Sequence, residues 1–178
     1  PHTLPASRLE CRTALAQPKK VSPASGGFRD TPGWMPGSHA DTPQRLGLIR
    51  EGDALLIVLN AFSPGDPVAQ LAAFRDEMLF ADLGVVTNRA DRLEASVKKP
   101  KPNRELELKE LAIVKRVQAT LESGEPIASL ELTDEEKKPM RSFGLLTDKP
   151  QVVLVNLTQG NEIPASLLAV APDALAID

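Results

Sequence analysis

From Val68 to Lys99 the chain contains no proline, and Leu79, Leu83, Val86, Ala90, Leu93 and Val97 recur along it at alternating spacings of four and three residues. A repeat of that kind puts an apolar stripe along one side of a helix, and another helix has to cover it. The cover follows directly in sequence. Lys98-Lys99-Pro100-Lys101-Pro102 stops the first helix, Asn103 or Arg104 begins a second, and Leu106, Ile113, Val117 and Leu121 supply its facing side before Gly124 and Pro126 end it. The expected unit is a pair of antiparallel helices joined by a tight basic turn, with a longer arm of roughly 30 residues, or ~45 Å at 1.5 Å per residue. The basic tip suits an acidic partner such as RNA, and it equally suits a turn that only has to stay solvated.

The flanking segments alternate strand and helix. Asp53 to Phe62 is a continuous branched apolar run, of the sort found in strands buried on both faces of a parallel sheet. Gln151 to Asn156 is a second such strand and Asp173 to Ile177 a third. Thr42-Pro43 starts a helix that carries Leu46 and Ile49 inward and ends near Glu51-Gly52. Ser63 to Pro67 is a turn and cap for the long helix, and Thr133 with Glu136 forms a capping box, although Pro139 predicts a kink or an irregular turn soon after. Leu145 and Leu146 dock the chain, and Asn161 to Val170 gives a short helix. The segment from Asn156 to Gln159 falls at the carboxyl end of its strand, where open α/β sheets place their ligands.

Ahead of these elements, Ser7 to Ala16 predicts a short helix with Leu9 and either Leu15 or Ala16 facing inward, and Pro18 to Ala24 predicts an extended connector. Phe28 to Gly37 reads as a short strand closed by Asp30 and followed by a Pro-Gly loop. An Asp at a strand end can hold a magnesium-bound water, and a glycine amide behind it can approach a terminal phosphate. Asp-x-Pro-Gly is also an ordinary turn sequence.

Composition narrows the function classes. With 178 residues the chain can bury one good core and carry one inserted subdomain. A net charge of −3 gives no general attraction to nucleic acid or anionic lipid. The single Cys11 excludes an internal disulfide framework, and His2 and His39 sit far from any ligand cluster, which argues against a Cys or His metal site. The apolar run from Ala54 to Phe62 is too short to span a bilayer and the N-terminus has no signal pattern, so the expectation is a soluble, cytoplasmic protein. The chain opens without Met, which reads as a processed or excised N-terminus.

In this order the residues resemble the YchF or Obg-like ATPases, relatives of translation-factor GTPases. The resemblance rests on Pro18-Lys-Lys-Val-Ser-Pro-Ala24, Asp30-Thr-Pro-Gly33, Ile49-Arg-Glu-Gly-Asp-Ala54, Met78-Leu-Phe-Ala-Asp-Leu83, Leu132-Thr-Asp-Glu-Glu-Lys137 and Leu145-Leu-Thr-Asp-Lys-Pro-Gln-Val-Val-Leu-Val-Asn156, and it covers roughly residues 4 to 178. It implies an α/β fold: a partial Ras-like G domain of the phosphate-loop NTPase type, with an inserted antiparallel helical hairpin. The implied boundaries are 1–65 for the first part of the G domain, 66–146 for the hairpin domain and 147–178 for the remainder. It further implies hydrolysis of ATP or GTP with Mg2+, and association with ribosomes. By the same resemblance Asp30 is the magnesium-facing acid, Gly33 the γ-phosphate amide donor, and Asn156 the first residue of the base-recognition motif, with Gln159 standing where the family usually has Glu. Trp34 stands where small GTPases carry a catalytic Gln, and its indole cannot orient water as a carbonyl or carboxylate would.

The departures from the family bear on activity. No G-x-x-x-x-G-K-[ST] occurs in the sequence, so the phosphate cradle, its Lys and a magnesium ligand are not supplied by these residues. Ser38-His-Ala-Asp41 replaces the usual further glycines, and the connection after the central strand is shortened to Ser63-Pro-Gly65. His39, a loop histidine without a visible partner, reads as idle, and no catalytic residue is assigned. Two readings follow: part of a nucleotide hydrolase whose phosphate loop lies outside this chain, or a nucleotide-free helical-hairpin module that binds a protein or ribosomal partner.

Overall fold

The computed structural model describes residues 2–3, 13–18, 20–22, 25–33, 42–63 and 65–177. Two compact units emerge, Pro1–Pro32 and Gly33–Asp178. Residues 7–12 of the expected first helix, with Leu9 and Cys11, and the segment 34–41, with Trp34 and His39, lie outside the described residues.

In the first unit β1 (His2–Thr3) pairs antiparallel with β2 (Ser25–Gly26). Residues 13–16 are helical, but Leu15 is 83% exposed and Ala16 is exposed as well, so neither provides the expected inward contact. The expected strand running up to Asp30 is also corrected. Residues 27–33 are irregular: the preceding strand, β2, ends at Gly26 opposite His2, and no strand among the described residues pairs with residues 28–30.

The second unit runs α1 (Thr42–Arg50), β3 (Leu55–Asn60), α2 (Pro67–Val97), α3 (Arg104–Glu122), a 3-10 turn (Ile127–Ser129), α4 (Asp134–Arg141), β4 (Gln151–Asn156), α5 (Ala165–Val170) and β5 (Leu175–Ile177). The three strands form one parallel sheet in the order β3-β4-β5, with Asn60 opposite Asn156 and Asn156 opposite Ile177. Leu55, Ile57, Leu59, Val153 and Val155 form its buried side, packed with Leu71 and Met78 of α2, with Leu167 of α5, and with Leu146 from the segment ahead of β4. Leu46 and Ile49 of α1 join from the edge. The expectation of burial on both faces does not hold: exposure alternates along β3, and Val58 is 57% exposed. The apolar run therefore reflects strand propensity on one face and core packing on the other.

Helix α2 starts where the sequence sets it. The Asp66 side chain accepts from the Val68 N–H at 2.9 Å, and Pro67 occupies the first turn. Its first half serves the sheet core. Its second half, through Val86, Ala90 and Leu93, belongs to a separate core with Val114, Val117 and Leu121 of α3, Ile127, Met140 and Leu145. Polar contacts cross between the two helices: Arg89 to Glu110 at 2.6 Å, Lys115 to Glu94 at 2.7 Å, and Ser96 Oγ to Glu107 at 2.7 Å. Being half exposed, such pairs contribute little each, and the buried stripe carries the association. Leu106, expected on that stripe, is 67% exposed. The first turn of α3 meets the last turn of α2 through Glu107 and Arg104, which bond Ser96 Oγ and the Val97 carbonyl at 2.7 and 2.8 Å, so polar side chains and not Leu106 occupy that end of the seam.

The capping box of α4 is complete: Thr133 Oγ1 accepts from the Glu136 N–H at 3.3 Å and the Glu136 carboxylate accepts from the Thr133 N–H at 2.9 Å. The helix continues through Pro139 and ends two residues later at Arg141, which limits the number of backbone bonds the proline can break. Thr133→Ala is expected to cost about 1 kcal/mol, measured by urea denaturation. The Thr133 N–H, its hydroxyl and Arg116 hold the Glu136 carboxyl below its ordinary value of 4.5. A carboxyl with a depressed folded value adds stability above its unfolded value and loses it as pH falls through the folded one. Glu136→Gln should therefore flatten the decline of stability below about pH 4.5, read from melts across the acid range.

Candidate functional site

Asn60, Asn156 and Ile177 stand side by side at the carboxyl end of the parallel sheet. The Asn156 carbonyl accepts from the Ala61 N–H at 2.9 Å, and Leu157 N–H donates to the Ile177 carbonyl at 2.9 Å, so the three strands leave the sheet at one level. The chain then turns at Thr158 to Asn161, closed by the Asn161 N–H on the Thr158 carbonyl at 3.0 Å. Gly160 takes φ +85 in this turn, a backbone position that side chains other than glycine's rarely allow. Gln159 is exposed on it and Asn156 is half-buried beneath. Both predicted base-recognition residues thus sit at the same end of one strand.

Gly33 begins the second unit. It is exposed, its carbonyl accepts from Arg45 Nη1 at 3.0 Å, and an added Cβ there would meet nothing within 4 Å. Among the described residues, packing does not require glycine at this position. Asp30 lies in the first unit, exposed, on the irregular stretch before Pro32. Among the described residues no group of three or more His, Cys, Asp or Glu side chains is placed to hold a metal ion.

Two polar arrangements in this unit were not read from the sequence. At the end of β3, Gln70 of α2 makes a paired contact with the Asn60 backbone, accepting from its N–H at 3.2 Å and donating to its carbonyl at 3.0 Å. The Asn60 side chain in turn accepts from the Phe62 and Ser63 N–H groups at 3.2 and 3.3 Å and donates to Ser63 Oγ at 2.7 Å. The short loop after the central strand is thereby an Asx-type turn tied to α2. Its signal in sequence was a lone Asn inside an apolar run.

The second arrangement joins the two cores. Asp82, fully buried in the middle of α2, accepts from Arg50 Nη1 at 2.9 Å and from both the N–H and the hydroxyl of Thr147 at 2.8 and 2.9 Å. Arg50 also donates to the Gly144 carbonyl at 2.8 Å, and Lys149 Nζ donates to the Arg50 carbonyl at 2.9 Å and to that of Gly52. An Asp at a core position of a helical repeat was the available signal.

No protein-family model matches the chain. It is similar to the ribosome-binding ATPase YchF of Bacillus subtilis, 28% identical across 88% of this chain and 45% of that protein. It is similar to Obg-like ATPase 1 of Oryza sativa subsp. indica, 30% identical across 88% of this chain and 42% of that one. The chain therefore spans less than half the length of these curated relatives. The solved structure of the Schizosaccharomyces pombe YchF GTPase superposes with a TM-score of 0.74 at 20% identity, over 99% of this chain and 54% of that one, which shows a shared fold. No helix among the described residues is long and apolar enough to cross a membrane.

Proposed function

From a likeness to the YchF and Obg-like ATPases that runs through 88% of this chain, we infer that it is part of a nucleotide-binding protein that hydrolyses ATP or GTP with Mg2+. The observation that carries this reading is the position of Asn156. It stands at the carboxyl end of the middle strand, with Gln159 on the exposed turn above it, where a nucleobase can be met. Gln159 keeps the hydrogen-bonding capacity of the family's usual Glu and loses its charge.

Within this reading, residues 1–65 and 147–178 are portions of a G domain, and 66–146 is an inserted helical hairpin. In support, β3 and β4 are adjacent parallel strands although residues 61–150 separate them, and the paired helices have a core of their own. Asp30 would hold magnesium through water and the Gly33 N–H would face the terminal phosphate. A single carboxylate suits Mg2+, which keeps several waters and takes the rest of its oxygens from phosphates. The metal would neutralise charge developing on the phosphates.

Relatives named as ribosome-binding suggest a ribosomal partner and a cytoplasmic setting. The turn between α2 and α3 supports a contact with RNA. Lys101 is engaged with Ser96 Oγ at 2.6 Å and Arg104 with the Val97 carbonyl, while Lys98 and Lys99 are exposed. A nucleotide-free interaction module is the second reading, favoured by the closed Asn60 turn where the family has a longer connection.

The coding region upstream of Pro1 distinguishes them. A Gly-Lys-Ser/Thr loop encoded there supports the hydrolase, and its absence sinks that reading of the parent. For the chain alone, no ATP or GTP turnover is expected, since the phosphate cradle is not in its sequence. A magnesium-dependent turnover abolished by Asp30→Ala would overturn this. In a parent that binds nucleotide, Asn156→Ala should weaken affinity about tenfold or more by equilibrium titration, the loss of one or two base hydrogen bonds.

A further inference from the structure

Beside α2, where the sheet core gives way to the core of the helical pair, lies a cavity of about 680 Å³. Small-molecule sites fall in the range of roughly 300–1,000 Å³. Leu71, Ala72 and Met78 of α2 form an apolar floor, and Arg75, Asp76 and Lys149 stand at the polar margin. The cavity reaches Gln151, the first residue of β4. None of Asn60, Asn156 and Gln159 lines it, so the cavity is separate from the residues of the candidate nucleotide site.

Charge selects what can occupy it. Arg75 Nη1 donates to the Val170 carbonyl at 3.3 Å, and Lys149 Nζ is held by the carbonyls of Arg50 and Gly52. Neither cation enters an ion pair among the described residues. Neutral carbonyls fix both side chains in place and leave their charge uncancelled, while Asp76 supplies the one carboxylate of the lining. Two positioned cations over an apolar floor complement a molecule with an anionic head and an apolar tail.

We propose that this cavity binds a small amphipathic carboxylate, with its tail on Leu71, Ala72 and Met78 and its head at Arg75 and Lys149. Decanoate, below its micellar concentration, is the probe, and decanol is the uncharged control, both titrated into the full chain by calorimetry. Arg75→Gln removes the head contact, and Ala72→Trp fills the floor from an exposed helix position, with circular dichroism melts confirming that each variant is folded. The expected result is one decanoate per chain. Arg75→Gln should weaken it about tenfold and leave decanol unchanged, and Ala72→Trp should abolish both. Many molecules bound per chain, no binding to the unaltered chain, or decanoate binding indifferent to both substitutions would each overturn the proposal. The nucleotide reading is untouched by any of these outcomes, because neither Arg75 nor Ala72 is among the residues assigned to the nucleotide or its metal.

Discussion

Asp82→Ala lowers the unfolding free energy by about 3–5 kcal/mol, the range for breaking a buried ion pair by removing one partner. The carboxylate is fully buried and receives three hydrogen bonds, from Arg50 Nη1 and from both donors of Thr147. Removing it leaves the Arg50 guanidinium, itself only 20% exposed, with no carboxylate to answer its charge, and strands the Thr147 N–H inside the protein. The loss comes from orphaned partners more than from the attraction that is forfeited. The companion expectation is that Arg50→Met together with Asp82→Leu recovers most of the loss, since replacing both members of a buried pair by apolar groups is often neutral. Urea denaturation of the two variants checks both statements. A double variant as unstable as Asp82→Ala would mean that the bonds to Thr147, and not the unpaired charge, dominate.

Leu121→Ala should cost about 2–5 kcal/mol, while Leu106→Ala on the same helix should stay within about 0.5 kcal/mol. Leu121 is 1% exposed and shares its core with Val86, Ala90, Val117 and Ile127, so truncation loses transfer free energy and leaves a cavity. Leu106 is off the covered stripe and truncation there opens nothing. The same chemical change at two places on α3 thus isolates burial as the cause. Chemical denaturation measures both, and equal losses would contradict the placement of the stripe.

Much of this was legible before the structure. The α/β class follows from apolar strands alternating with capped helices, and Asp66-Pro67, Thr133 with Glu136, and the Gln151–Asn156 strand all sit where local chemistry puts them. Such signals are short-range: a cap or a proline acts on its own turn. What failed depends on neighbours distant in sequence. Which face of β3 is covered is decided by α2 and α5, and whether Leu106 is buried is decided by which side chains of its turn Ser96 and Val97 engage, Glu107 and Arg104. Of the candidate site, Asn156 and Gln159 were placed at a strand end by the apolar run preceding them. Gln70 was not found, because a helix-borne amide gives no local sign that it grips the backbone of Asn60 ten residues earlier.

The adjacency of β3 and β4 also governs how fast the protein can fold. Their register requires Leu55 to meet Gln151 across the intervening segment 61–150. Closing a flexible loop of about 90 residues costs on the order of 4 kcal/mol of chain entropy before a strand pair returns anything. If α2 and α3 associate first, they bring the two ends of that segment toward each other and the remaining search is short. The helical pair then acts as a folding clasp for the sheet. Stopped-flow refolding of Leu121→Ala should consequently show a slower rate as well as a lower stability, because a residue whose core contains no strand residue sets the pace at which the sheet closes.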